Sequence, residues 1–340
     1  MKLRKLAAVT ASFAILAAGL AGCGSTEETS SAELDKLTVQ SLWVPQGQFA
    51  GLYVADAKGF YEEEGIDVDI VPGGSDISSE DQVENDVAQV GIAFYSSVLT
   101  YQEAGYDFIN VFQTFKESPQ YLVTKKDSGI TSGADLAGKK VGSWFGGRQY
   151  ELFALAEENG IDPENDIEWV QQDYTMDQFV NDEIDAASAM SYNELLLLYE
   201  EEGFSEDDIN IINMNEEGAA LLEDCLFVKR EWAEENRDLL VRFLRATIKG
   251  WQYTAKNPEE AAQIVYDAGD GSSTLEHQLA MIEKVIELVI PEDSDAEHIG
   301  SLDQDKIQQT IDLGYNTGLI KDKIDIDSSI DDSYWNEAVK

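Results

Sequence analysis

The chain predicts an α/β fold with mainly parallel sheets, and three observations point there. Short apolar, β-branched stretches alternate with helix-compatible ones from Leu37 to about Val228. Turn residues, glycine above all, separate them. Beyond Val228 the apolar residues recur at helical spacing with no further strand-like run. Alternation of this kind marks strand–helix–strand units, whose strands run parallel because a helix carries the chain back across the sheet.

Taken in order, LTVQSLW (37–43) reads as a strand, residues 47–58 as a helix, and IDVDIV (66–71), after Gly65, as a second strand. QVGIAF (89–94) and FINVFQTF (108–115) follow as strands, with a helix over 95–105 between them. YLVTKK (121–126) is a strand; SGADLAGKKVGSW (132–144) is a short helix, a turn at Gly138 and a strand. A helix over 148–159, the strand IEWVQQ (167–172), a helix over 175–182, the strand IDAASAM (184–190) and a helix over 191–201 continue the pattern. Residues 230–256 then fit a long helix, Pro258 opens another, and two more fall near 273–289 and 303–317. With no strands beside them, these helices are expected to cover an existing sheet. The sequence holds no internal repeat.

The first residues address the compartment. Lys2, Arg4 and Lys5 precede an apolar run from Leu6 to Leu20, too short for the roughly 20 residues of a membrane-spanning helix and suited to a signal peptide. The run ends Leu20-Ala21-Gly22-Cys23, which resembles the bacterial lipobox and implies cleavage after residue 22 and lipid on Cys23. Residues 24–36, GSTEETSSAELDK, are small, polar and acidic, the composition of a flexible tether. Cys225 is then the one remaining thiol, so neither an intrachain disulfide nor a cysteine metal cluster is expected. The 67 acidic residues against 23 basic ones give a net charge of −44, a field that repels nucleic acid and anionic head groups.

The order of motifs is itself informative. QFAGLYVADAKGFYEEEGIDVDIVPGG, DLAGKKVGSWFGG, IDAASAMSYNEL and a helical tail containing NPEEAAQIV together resemble the substrate-binding proteins of ABC transporters. Within them they are similar to the branch that binds thiamine pyrimidine precursors or riboflavin, related to fungal thiamine pyrimidine synthases. The likeness runs over about residues 37–290. It implies a two-lobed periplasmic-binding-protein fold of type II, with two strand crossovers and the ligand in the interlobe cleft. The crossings are expected near 120–126 and 224–229, giving lobe one as 37–122 plus 224–340 and lobe two as 123–223. The implied protein is a monomeric, lipid-anchored extracytoplasmic receptor that delivers a small heterocycle to a permease and needs no cofactor.

Ligand-contacting residues in such folds lie at the carboxyl ends of strands, facing the crevice. The first strand-to-helix corner offers Trp43, Gln46, Gln48 and Phe49, an apolar ring beside two amides: a setting for a flat, polar, uncharged molecule. Trp43 is expected to stack on it and Gln48 to hydrogen-bond its edge. Tyr95 follows another strand end. In VGSWFGGRQY (141–150), Trp144 adds an aromatic, while Gly146 and Gly147 let backbone approach; no Gly–Lys–Ser/Thr ending makes it a phosphate loop. AMSYNEL (189–195) supplies Tyr192 for stacking, with Asn193 and Glu194 for the polar edge, and Glu194 is suited to accept from an exocyclic amine. Asp224 falls near the return crossing.

Enzymatic relatives use an active-site histidine, pyridoxal phosphate and a cysteine-rich run. Here WVPQGQFAG has no histidine, LLEDCLF has one cysteine, and His277 and His298 lie in the C-terminal helices. A synthase is therefore disfavoured. A sulfonate or nitrate receptor needs cations around its anion, and the site loops contain one, Arg148. Riboflavin stays open as an alternative to a pyrimidine, because paired aromatics suit both.

Overall fold

A computed structural model describes residues 34–292 and 294–340; the signal peptide and the lipidated Cys23 expected from the sequence lie outside them. Among the described residues, ten strands form two five-stranded sheets. The first contains β1 (Asp35–Gln40), β2 (Ile66–Val71), β3 (Val90–Ala93), β4 (Phe108–Gln113) and β10 (Cys225–Lys229), in the order β2-β1-β3-β10-β4. The second contains β5 (Gln120–Lys125), β6 (Lys140–Ser143), β7 (Glu168–Gln171), β8 (Ala186–Met190) and β9 (Ile209–Asn213), in the order β7-β6-β8-β5-β9. The two lobes therefore share one plan, which is the two-lobed periplasmic-binding-protein architecture.

The pairing corrects the expectation of mainly parallel sheets. In the first, β1 runs parallel to β2 and β3, while β10 runs antiparallel to β3 and β4. In the second, β6 runs parallel to β7 and β8, while β5 runs antiparallel to β8 and β9. Topology supplies the reason. β5 and β10 each enter their sheet from the other lobe, so they start at the cleft and run away from it. The strands that carry the site end there.

The crossings also shift from their expected places. Gln120–Lys125 lies wholly in the second sheet and Cys225–Lys229 wholly in the first, so the connections are residues 114–119 and 214–224. They touch: Thr114 N donates to Asp224 O at 3.0 Å, and the Gln113 amide donates to the carbonyl of Glu223. β9 was not foreseen as a separate strand, although Ile209, Ile211 and Ile212 are its signal.

The C-terminal helices cover the first sheet, as their spacing implied. Arg237–Lys256, the longest, packs along Ala50–Ala57 so closely that a Cβ on Gly250 would come 2.0 Å from Gly51 O. Only glycine permits that approach, and it seals the fully buried Trp251 between the two helices. Gln304–Asn316 runs past the connections, with Ile307 and Ile311 in a first-lobe core cluster and Leu313 against a second-lobe one. Two short helices not anticipated from the sequence, Ile326–Ser329 and Ser333–Ala338, close the chain. Among the described residues no helix is long and apolar enough to cross a membrane.

Candidate functional site

Both sheets direct strand ends into the same crevice. From the first lobe, the segment after β1 carries Leu42, Trp43 and Gln46, then turns through Gly47–Phe49 into the helix Ala50–Ala57. Gly73 N donates to Trp43 O at 3.0 Å, and a Cβ on Gly73 would sit 2.2 Å from Ser41 O. Glycine at 73 is what lets the second strand's exit support the Trp43 segment.

The amides of this corner are held by their own chain. Gln46 Nε2 donates to Gln48 Oε1 at 2.6 Å, and Gln48 Nε2 donates to both Asp224 oxygens at 2.8 and 3.0 Å. Asp224 itself has φ of 51°, a left-handed backbone that a non-glycine residue adopts at a cost. Burial pushes its carboxyl up to about 7, against the opposing pull of the Gln48 hydrogen bond and of the Arg148 charge.

The second lobe supplies the other wall. Trp144 follows β6, is nearly fully buried, and donates its indole N–H to Asp173 O at 3.1 Å. Arg148, one turn on, lies with its guanidinium 4.5 Å from the Phe94 ring centroid and 5.6 Å from that of Trp144, a cation–π arrangement joining the lobes. Tyr174 follows β7 and meets Trp43 across the mouth at 5.0 Å between centroids. After β8 come Met190, Tyr192, Asn193 and Glu194. Tyr192 is buried edge-on against Phe115 at 5.8 Å. Glu194 opens the helix Glu194–Glu200; its Oε2 accepts from Met190 N at 3.0 Å and its Oε1 from Asn193 Nδ2 at 2.8 Å. Burial raises the Glu194 carboxyl, while those hydrogen bonds and the Arg148 charge pull it down.

Together these residues enclose a cavity of ≈ 130 Å³. Its wall holds five aromatic rings, those of Trp43, Phe94, Trp144, Tyr174 and Tyr192, with Glu194 and Arg148 as the charged groups. A carboxylate offers about four lone-pair directions, so Glu194 retains acceptor capacity toward the cavity. Outside the wall, the buried Glu223 lies near Arg148 and Glu194 and beside the buried Glu151. Burial raises the Glu151 and Glu223 carboxyls, and in Glu223 the proximity of Glu151 adds to it.

Of the residues singled out in the sequence, Trp43, Gln46, Gln48, Trp144, Tyr192, Asn193 and Glu194 meet at this cavity. Gln48 does so with its amide already engaged, so it braces the wall instead of facing a ligand edge freely. Asp224 acts behind Gln48 and does not line the space. Phe49 turns into the first-lobe core. Tyr95 also points away: it is fully buried in a separate cluster, its hydroxyl 2.5 Å from Ser329 Oγ, because it is the first residue of an inward-facing helix while Phe94 before it faces the cleft. Gly146 and Gly147, with φ of 96° and 125°, form the turn that delivers Arg148 and are not part of the wall. Leu42, Phe94, Arg148, Tyr174 and Met190 line the site without having been proposed for it. For Phe94 the signal was its place at the end of β3; for Tyr174, the end of β7. His277 and His298 part company: His277 lies beside Asn193, His298 on the surface.

Against known proteins, residues 46–261, more than half of the chain, match the family described as NMT1/THI5 like. The chain is 23% identical over 251 residues to the formylaminopyrimidine-binding protein of Halalkalibacterium halodurans, covering 72% of this chain and 74% of that one. It is 27% identical over 267 residues to the riboflavin-binding protein RibY of Chloroflexus aurantiacus, covering 72% and 71%. Among solved structures, the periplasmic aliphatic sulphonate binding protein SsuA of Escherichia coli superimposes with a TM-score of 0.65 at 17% identity, over 87% of this chain and 92% of that one. The match to the family over most of both lobes carries the conclusion that the chain belongs to the NMT1/THI5 like family.

Proposed function

We propose that this solute-binding protein of the ABC import type captures a single-ring aminopyrimidine, a thiamine pyrimidine precursor, outside the cytoplasm. The observation that carries the reading is the cavity: ≈ 130 Å³ between aromatic faces, with a buried carboxylate on its polar side. An engineered cavity of about 150 Å³ accepts one benzene ring, so the space suits one heterocycle. Trp43 and Tyr192 would stack on it from opposite lobes, Glu194 would accept from an exocyclic amine, and Arg148 would donate to a carbonyl or hydroxyl substituent. The formylaminopyrimidine-binding relative supports the same class.

Riboflavin, which the name of a second relative favours, carries three fused rings and a ribityl chain and would require a wider cleft. A sulfonate or nitrate would face Glu194 with Arg148 as its one cation at the wall. A synthase reading gains nothing from the cavity wall, which holds no histidine. We further propose that lobe one comprises the first sheet with the C-terminal helices, that lobe two comprises residues 120–213, and that the pair hinges at 114–119 and 214–224. Lipid on Cys23 would hold the monomer at the membrane beside its permease.

Calorimetry against 4-amino-5-hydroxymethyl-2-methylpyrimidine, its formylamino analogue, riboflavin and an alkanesulfonate tests the reading. Tight binding of a pyrimidine with none of riboflavin supports it. Riboflavin bound more tightly than either pyrimidine, or a sulfonate bound at all tightly, overturns it.

A further inference from the structure

The helix Leu275–Val289 belongs to the first lobe, yet its first turn reaches both walls of the cavity. Gln278 Oε1 accepts from Gly47 N at 2.7 Å and so holds the first-lobe corner. One residue earlier, His277 crosses to the second lobe. Its Nε2 lies 3.0 Å from Asn193 Oδ1 and its Nδ1 lies 2.7 Å from Glu200 Oε2, at the two ends of the helix Glu194–Glu200. His277 is buried, and Thr274 caps its helix by accepting from His277 N at 3.1 Å.

Hydrogen-bond accounting fixes what the ring must be. Asn193 donates its Nδ2 to Glu194 Oε1, so the amide oxygen is the atom that faces His277 and it can only accept. The ionised Glu200 carboxylate also only accepts. Both ring nitrogens therefore donate, and an imidazole with two N–H groups is the cation. The surroundings agree in sign. The facing helix presents Glu200 and, through Asn193, Glu194; the 46–49 corner contributes no ionisable group; on its own helix the neighbour is Glu276. On the adjoining helix Pro258–Ala268, Glu260 is paired with Lys58 at 3.0 Å.

We propose that His277 is the positioning residue of the site: as an imidazolium it clasps the two lobes shut and, through Asn193, orients the Glu194 carboxylate toward the ligand. Closure on a ligand is thereby linked to holding one proton. The sign follows directly. Loss of that proton removes one donor, loosens the clasp and weakens binding. The affinity consequence rests on the cavity being the ligand site, whereas the protonation of the ring and the interlobe contact do not.

The chain has only two histidines, so ¹⁵N-histidine labelling of the mature protein gives two imidazoles, and His298→Gln assigns them. The expected spectrum shows both nitrogens of His277 protonated in the closed form, with the scattering radius increasing as that ring loses its proton. A neutral His277 with an unprotonated Nε2 means that Asn193 donates to it, and overturns the proposal. With 4-amino-5-hydroxymethyl-2-methylpyrimidine as probe, His277→Gln and Glu200→Gln should each lose about tenfold in affinity, the worth of one charge-assisted bond, and should lose the wild-type dependence on pH. Unaltered affinity and pH slope in His277→Gln also overturns it. Should wild type bind no pyrimidine, the functional reading fails and the spectrum alone decides for or against the clasp.

Discussion

The two walls of the cleft are built on the same strand order but do different work. On the first-lobe side, the polar atoms are tied to their own lobe or the connection: Gln46 to Gln48, Gln48 to Asp224, Gly47 to Gln278. What remains for a ligand is mainly apolar, the rings of Trp43 and Phe94 with Leu42. On the second-lobe side, Glu194 and Arg148 both reach the cavity with capacity to spare. One wall is a prearranged platform and the other a reader of chemical groups. The comparison teaches that within this family plan affinity and selectivity can be carried by separate lobes, so each can be removed without the other.

The largest test of that division is Trp43→Ala. Losing a stacking face and its buried area should weaken binding by roughly 2–4 kcal/mol for every aromatic ligand alike, measured by calorimetry. A loss confined to one ligand would break the comparison, because the platform would then be selective. Glu194→Gln keeps the shape and removes the charge, so it should cost on the order of 1.5–3 kcal/mol for an aminopyrimidine and little for a ring without an exocyclic amine. Equal losses for both would place selectivity elsewhere.

A subtler test addresses the brace. Burial raises the Asp224 carboxyl to about 7, above its unfolded value of about 3.9. The folded state therefore holds the extra proton between those values, and wild-type stability falls as pH rises through that window. Asp224→Asn removes the cost of the buried charge and keeps one acceptor for Gln48. It should raise stability by on the order of 2 kcal/mol at pH 8, with the gain vanishing toward pH 4, in thermal melts. A gain independent of pH would mean that the Asp224 carboxyl binds its proton equally well in the folded and unfolded chain. The smallest expected effect is Tyr95→Phe. It removes a buried hydroxyl contact to Ser329, costing about 1 kcal/mol of stability, and should leave ligand affinity unchanged.

Much of this arrangement was legible in the sequence because strand ends are. The alternation located most of the strands, and every residue of AMSYNEL chosen for the site reached the cavity. The errors were of two kinds. Tyr95 and Phe49 went inward because the first residue of a helix and its neighbour face opposite directions, and a one-residue difference in which side chain faces the cleft cannot be read from aromatic character. His277 was set aside for lying in the C-terminal helices, far along the chain from the Trp43 corner, when those helices in fact fold back to bring it to Asn193. No local pattern records that return. Arg148 was visible as the one cation of its loop, but its use depends on carboxylates brought to it from two other segments, Glu194 from one and Glu223 with Asp224 from the other.

The place of β10 between β3 and β4 has a consequence for how the molecule is made. Sheet two is complete once Asn213 has left the ribosome, since all its strands lie within residues 120–213. Sheet one, begun first, cannot close until residues 225–229 arrive to fill the slot between two strands already synthesised. Until then β3 and β4 present open edges, the kind that invite pairing with a neighbouring chain. The second lobe is thus free to fold as a local unit while the first waits on contacts more than 100 residues apart, the slow class of contact. Assembly of the platform lobe is the step at which a chain of this family is most exposed to misassembly, and its high negative charge keeps unfinished chains apart.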